Sequence, residues 1–128
     1  MNKMVEIKDF SIRLGNFELK NINLDIFDNE IFAVLGKTGS GKTVLLESVA
    51  GFYRRFSGNV NIQGKSVVDV PLEKRKIGFV YQDFGLFPHM TVSDNIGYGL
   101  KIQKLDKQKR KKKVAEMAEI LSIGHVLN

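Results

Sequence analysis

No cysteine occurs among the 128 residues, which removes disulfides, thiolate metal sites and thiol nucleophiles together and fits a reducing compartment. No apolar run approaches the roughly 20 residues needed to cross a bilayer, so any tie to a membrane is expected to pass through a partner. The first residues, MNKMVEIKDFSI, alternate charge with apolar side chains and contain no continuous hydrophobic segment of signal-peptide length. No internal repeat is visible, and only KQKRKKK at 107–113 is compositionally biased. What is present argues for a folded domain. Apolar residues make up 43% of the chain and charged residues 27%, close to globular averages, on a length sufficient for a real core.

The net charge of +6 is local. Lys101 to Lys113 carries eight basic residues and one acid, whereas the remainder carries twelve basic and thirteen acidic residues. Six basic residues in the seven from Lys107 to Lys113 can neutralise phosphates, so nucleic-acid binding through this run is one alternative reading. The run contains no aromatic for base stacking, and the apolar spacing after it places it at the start of a helix with a solvated face. Nucleic acid is therefore not expected as a partner.

Val5 and Ile7 alternate with Glu6 and Lys8, and Phe17, Leu19, Ile22, Leu24 and Ile26 recur between polar residues, which predicts two half-buried antiparallel strands near a turn at Gly15-Asn16. Ile31 to Leu35 is a short, wholly apolar run, the pattern of a strand covered on both faces in a parallel sheet, and Ile77 to Tyr81 reads the same way. Val44, Leu45, Leu46, Val49 and Ala50 fall on a helical stripe that Gly51 is placed to end. Gly58 to Gly64 frames a short strand. Thr91 or Ser93 is placed to cap a helix running toward Leu100, and Val114, Met117, Ala118 and Leu121 carry the spacing of another.

Between the first apolar run and the first helix lies LGKTGSGKT, Leu35 to Thr43, with three glycines, two lysines and no acid. Gly36-x-x-x-x-Gly41-Lys42-Thr43 matches the P-loop pattern at every fixed position. Glycines let backbone amides approach and converge on phosphate oxygens, and a helix starting near Lys42 adds its electropositive end. In this reading Lys42 reaches the outer phosphates and the Thr43 hydroxyl ligates Mg²⁺, a cation that prefers hard oxygen donors. The candidate nucleotide-binding residues are Gly36, Lys37, Thr38, Gly39, Ser40, Gly41, Lys42, Thr43 and Val44.

The stretches LGKTGSGKTVLLESVAGF and GFVYQDFGLFPHMTVSDNIGYGLK together resemble the ATP-binding subunits of ABC transporters, in particular those of importers. FVYQ, LFPHMTV and N-I-x-x-G-L look most like subunits serving molybdate or tungstate import. The resemblance implies an α/β P-loop NTPase core, with parallel strands and an N-terminal antiparallel β-subdomain over residues 1–86, followed by the start of a helical subdomain over 87–128. It implies ATP and Mg²⁺ as ligands, a transmembrane permease and a second ATP-binding subunit as partners, and a cytoplasmic position on the inner face of the membrane. Gln82 matches the glutamine that touches Mg²⁺ and the attacking water, so Thr43 and Gln82 are the implied metal ligands. An amide positions water but does not deprotonate it. Phe84, Leu86, Phe87 and Met90, beside Gln82, are either packing or a contact patch for the permease.

The family commonly stacks adenine on an aromatic residue near the first strands. Leu14 stands at the position before Gly15, which leaves Phe17 as the ring that could serve. The family's LSGGQ signature, its magnesium-binding Asp, catalytic Glu and switch histidine have no counterpart in these 128 residues. His89 and His125 show no metal or catalytic spacing, and Asp83 carries little weight. The expectation is a truncated ATPase that binds ATP with negligible hydrolysis, a stand-alone regulatory nucleotide-binding module being the alternative.

Overall fold

A computed structural model describes residues 2–128, which divide into two compact units meeting between Phe79 and Val80. The first unit is built on a hairpin of β1 (Lys3–Leu14) and β2 (Phe17–Phe27) turning at Gly15-Asn16. β3 (Ser57–Ile62) pairs antiparallel with the other edge of β1, and the two-residue β4 (Lys65–Ser66) pairs with β3, giving the sheet order β2-β1-β3-β4. Helix α1 (Lys42–Ala50) contributes Leu45 to a core that also holds Ile7, Phe10, Ile12, Val60 and Val67.

Strict alternation along β1 would place Phe10 and Ile12 on the face opposite Ile7. All three are buried nonetheless, because the register slips between Ile7 and Phe10, where Asp9 has φ +49°. The extra residue re-aims the strand. Asn21 (φ +50°) sits opposite the second slip, and the freed amides find side chains: Asp9 N–H donates to Asn23 Oδ1 at 2.9 Å, Asn21 N–H to Ser11 Oγ at 2.9 Å.

The other face of the sheet is polar. Glu6 accepts from Lys3 Nζ at 2.8 Å and Asn61 Nδ2 at 2.9 Å, and Lys8 Nζ lies 3.2 Å away. These three donors, Lys3 foremost, hold its carboxyl down from the ordinary 4.5 to about 2. A carboxyl that ionises more readily folded than unfolded stabilises the fold fully above the ordinary value, and the contribution fades as pH falls toward the folded one. Glu6→Gln should therefore lower the denaturation midpoint at pH 6 and cost less and less as the pH approaches 2. Parallel melting curves check this, and a gap between the variants that fails to narrow in acid would refute it.

The two expected parallel strands do not form. Ile31–Leu35 and Ile77–Tyr81 make no ladder, and every strand pairing among the described residues is antiparallel. A strand exists only with a neighbour to complete its hydrogen bonds, and these segments have none in the sheet. Much of their apolar surface lies open, Ile31 at 99%, Leu35 at 90% and Val80 at 88% exposure, while the Phe79 ring tilts against Phe52 with centroids 5.4 Å apart.

The second unit pairs α2 (Val92–Ile102) with α3 (Lys107–Ile120), followed by a short 3₁₀ turn at Gly124–Val126. Thr91 caps α2 by accepting from Asp94 N–H at 3.1 Å, and Asp106 caps α3 by accepting from Gln108 and Lys109 N–H. Gly97 is buried where the helices meet, and a methyl group there would come within 3.2 Å of Val114. No helix among the described residues is long and apolar enough to cross a membrane.

Candidate functional site

The segment Gly36 to Gly41 is a tight loop closed by Ser40 N–H donating to Lys37 O at 3.1 Å, and α1 starts directly behind it at Lys42. Glycine is required where φ is positive, at Gly39 (+80°) and Gly41. Gly41 has φ +97°, and a Cβ there would stand 2.5 Å from Phe17 Cζ and 2.7 Å from Leu19 Cδ2. At Gly36 a Cβ would meet Ser40 Oγ at 2.6 Å. A side chain at Gly41 would push the loop off the hairpin, whereas one at Gly36 would only turn the Ser40 hydroxyl aside.

Lys42 ties the loop across its mouth. Its ammonium donates to Gly36 O at 2.7 Å and Lys37 O at 2.8 Å, with Ser40 Oγ farther off at 3.5 Å. Two of its three N–H groups are well engaged, and the third faces only this long contact. That third donor is the one an incoming oxyanion would claim.

The start of α1 is bare. Gly41 as cap supplies no side-chain acceptor, and the first turn contains no acid. The first amides of a helix have no intrahelical acceptor, and no side chain among the described residues caps them here. Exposed first-turn amides, the positive end of a nine-residue helix and a lysine with a donor to spare form a site whose chemistry fits a phosphate group. Thr43, exposed in the same turn, offers a hydroxyl beside it. Among the described residues no group of three or more His, Asp or Glu side chains is suited to a metal ion. A cation here would be held by hydroxyl, amide and phosphate oxygens.

The opposite end of α1 shows a residue that the sequence reading missed. Arg75 is 6% exposed, and its guanidinium donates to Ser48 O at 3.1 Å, Val49 O at 2.8 Å and Val70 O at 2.9 Å. It meets two carbonyls at the helix C-terminus, of which Ser48 O also accepts from Gly51 N–H at 3.1 Å, and a cation there complements the dipole. Burial pushes the Arg75 pKa down, yet an arginine starts from so high a value that it remains charged. In Lys74-Arg75-Lys76 nothing marks the middle residue as the buried one.

Of the expected site residues, the structure brings together Gly36, Lys37, Ser40, Gly41, Lys42 and the Phe17 ring. Phe17 packs on the helix start. Thr38 and Gly39 form the exposed tip, and Val44 turns partly into the core. Gln82 belongs to the second unit, on an exposed turn closed by Phe84 N–H donating to Tyr81 O at 3.1 Å. Farther along that segment Phe84 and Leu86 are exposed, whereas Phe87 stacks on Tyr98 with ring centroids 4.6 Å apart. Asn95 fixes this turn, accepting from Phe87 N–H at 2.9 Å and donating to Phe87 O at 3.1 Å and Thr91 O at 2.9 Å.

The family profile described as ABC transporter matches residues 19–128. The chain is 41% identical over 125 residues to the molybdate/tungstate import ATP-binding protein of Pyrococcus horikoshii, covering 98% of this chain and 36% of that protein. It is 40% identical over 125 residues to the protein of the same name from Methanocaldococcus jannaschii, covering 98% of this chain and 42% of the other. Against the spermidine/putrescine import ATP-binding protein of Ruegeria pomeroyi it is 43% identical over 108 residues, 84% of this chain and 30% of that one. The chain thus spans well under half the length of these relatives.

Proposed function

The chain belongs to the ABC transporter family, and from that premise we propose that it is the nucleotide-holding part of the ATP-binding subunit of a solute importer. The observation that carries this reading is the uncapped first turn of α1 with Lys42 drawn across the loop in front of it. Gly36 to Val44 would wrap the phosphate chain. Lys42 would give its spare donor to an outer phosphate, and Thr43 would supply an oxygen ligand to Mg²⁺, whose role is to neutralise phosphate charge; Gln82 is assigned to the metal by the family resemblance alone. Phe17, placed against Gly41, offers a ring to the base. The proposed division is a nucleotide-binding core over 1–86 and the opening of a helical subdomain over 87–128.

The rest of the assembly follows from the same premise. A permease, a second ATP-binding subunit and a place on the inner face of the membrane are proposed partners and location, with exposed Phe84 and Leu86 as the apolar contact for the permease. The relatives' names span an oxyanion cargo and a polycation cargo at similar identity. Identity at this level therefore follows the ATP engine and not the solute.

Hydrolysis requires positioned water and stabilised charge as well as a phosphate cradle. The 128 residues supply the cradle and Gln82, with no catalytic glutamate matching the family pattern. The polypeptide should bind Mg-ATP and release phosphate at the rate of the buffer blank. A release assay beside an ATP titration separates the two halves: turnover that Lys42→Ala abolishes would refute the second, and failure to retain ATP the first.

A further inference from the structure

The basic run, which the nucleotide site does not use, lies along one wall of a cleft. Between α2 and α3 is a cavity of about 240 Å³. Lys101 and Lys107, with Arg110 and Lys111 one turn on, line it against a single acid, Asp94. Asp106, the one acid between Lys101 and Lys113, is spent on capping Gln108 and Lys109 amides. All ion pairs among the described residues lie on β1 and β2, so none of these four cations has a carboxylate partner there.

This arrangement works against the helix that carries it. Lys107 with Lys111 and Lys109 with Lys113 are like charges four residues apart, Lys107 with Arg110 and Arg110 with Lys113 three apart, and all oppose helix formation. They also crowd the electropositive end, where the first turn contains no acid. Asp106 at the cap and Glu116, four residues after Lys112, offset this only in part, and locally unfavourable charge left over inside the chain is a sign of a partner outside it.

We propose that the α2–α3 face docks on an anionic lipid surface, with the cleft taking phosphate headgroups. Lys109, Lys112 and Lys113 continue the charge around α3 beyond the cleft, a distribution suited to an extended sheet of phosphates and not to a single ion. The basic run itself holds no Phe, Tyr or Trp, so a nucleic acid would find no ring interleaved with these cations to stack on. The inference rests on the proposed function only for its setting at a membrane, and its test uses no nucleotide.

The test is co-sedimentation of the full chain with vesicles of phosphatidylcholine alone or with about one third phosphatidylserine, at about 0.1 M salt. Binding should favour the anionic vesicles at least tenfold and vanish toward about 1 M salt, where screening shrinks to about 3 Å. The variant Lys101→Gln, Lys107→Gln, Arg110→Gln, Lys111→Gln should bind the anionic vesicles no better than those of phosphatidylcholine alone, while its circular dichroism stays unchanged. A control removing four exposed cations of the first unit, Arg54→Gln, Arg55→Gln, Lys65→Gln and Lys74→Gln, should keep most of the preference. Equal losses in both variants would reduce the effect to net charge and overturn the proposal. So would absence of lipid preference, tighter retention on duplex DNA at the same salt, or saturable binding of inorganic phosphate in the cleft without vesicles.

Discussion

Replacing Lys42 with alanine should weaken Mg-ATP binding by at least tenfold while barely moving the melting temperature. A hydrogen bond from a charged donor is worth about 1.5–3 kcal/mol, and each 1.4 kcal/mol is a factor of ten in affinity, so the loss of one phosphate contact already accounts for that factor. The structure adds a second contribution. The same ammonium holds Gly36 O at 2.7 Å and Lys37 O at 2.8 Å, and without it the loop must be ordered by the nucleotide itself, at the expense of affinity. Stability is a separate matter, because the Gly36–Ser40 loop is exposed and no core residue leans on the ammonium. Titration calorimetry with ATP and Mg²⁺, beside a thermal melt, reads both quantities. Equal affinities would strip Lys42 of its role, and a collapse of the melt would show that the affinity loss came from unfolding.

The loop was readable from the sequence because the geometry admits so few residue types: Gly41 at φ +97° with the Phe17 ring 2.5 Å from where a Cβ would be leaves no alternative to glycine. Of the helix caps of the second unit, Thr91 was one of two candidates beside Ser93, and Asp106 went unread although it stands directly before the basic run. The bulge at Asp9 was not readable, because hydrophobic alternation carries no mark of an inserted residue, and so the shared burial of Ile7, Phe10 and Ile12 emerges only from the register. Ile31–Leu35 and Ile77–Tyr81 show a different limit. An apolar run states that side chains want cover, but a strand is a property of two segments, and the sheet here offers these two no neighbour.

Arg75 is where the sequence was most misleading and where a substitution should cost the most. In a row of three cations it looks like surface charge, yet Lys74 and Lys76 are exposed while Arg75 is buried on three backbone carbonyls. Arg75→Met would keep much of the volume and leave Val49 O and Val70 O without their donor, while Ser48 O would retain only the Gly51 N–H at 3.1 Å. Unmade hydrogen bonds of this kind cost about 1–3 kcal/mol apiece, offset in part by sparing a charge its desolvation, so a net loss of about 3 kcal/mol is expected, a large share of a stability of about 5–15 kcal/mol. Arg75→Lys should fall between, since an ammonium keeps the charge but cannot reproduce the planar fork that serves both the helix end and Val70. Lys74→Met, one residue away and exposed, should stay within about 0.5 kcal/mol of the parent. Urea denaturation of the four proteins orders them. If Arg75→Met and Lys74→Met share a midpoint, the guanidinium is not what fastens the far end of α1, and the nucleotide loop at its near end must be held in place by the hairpin alone.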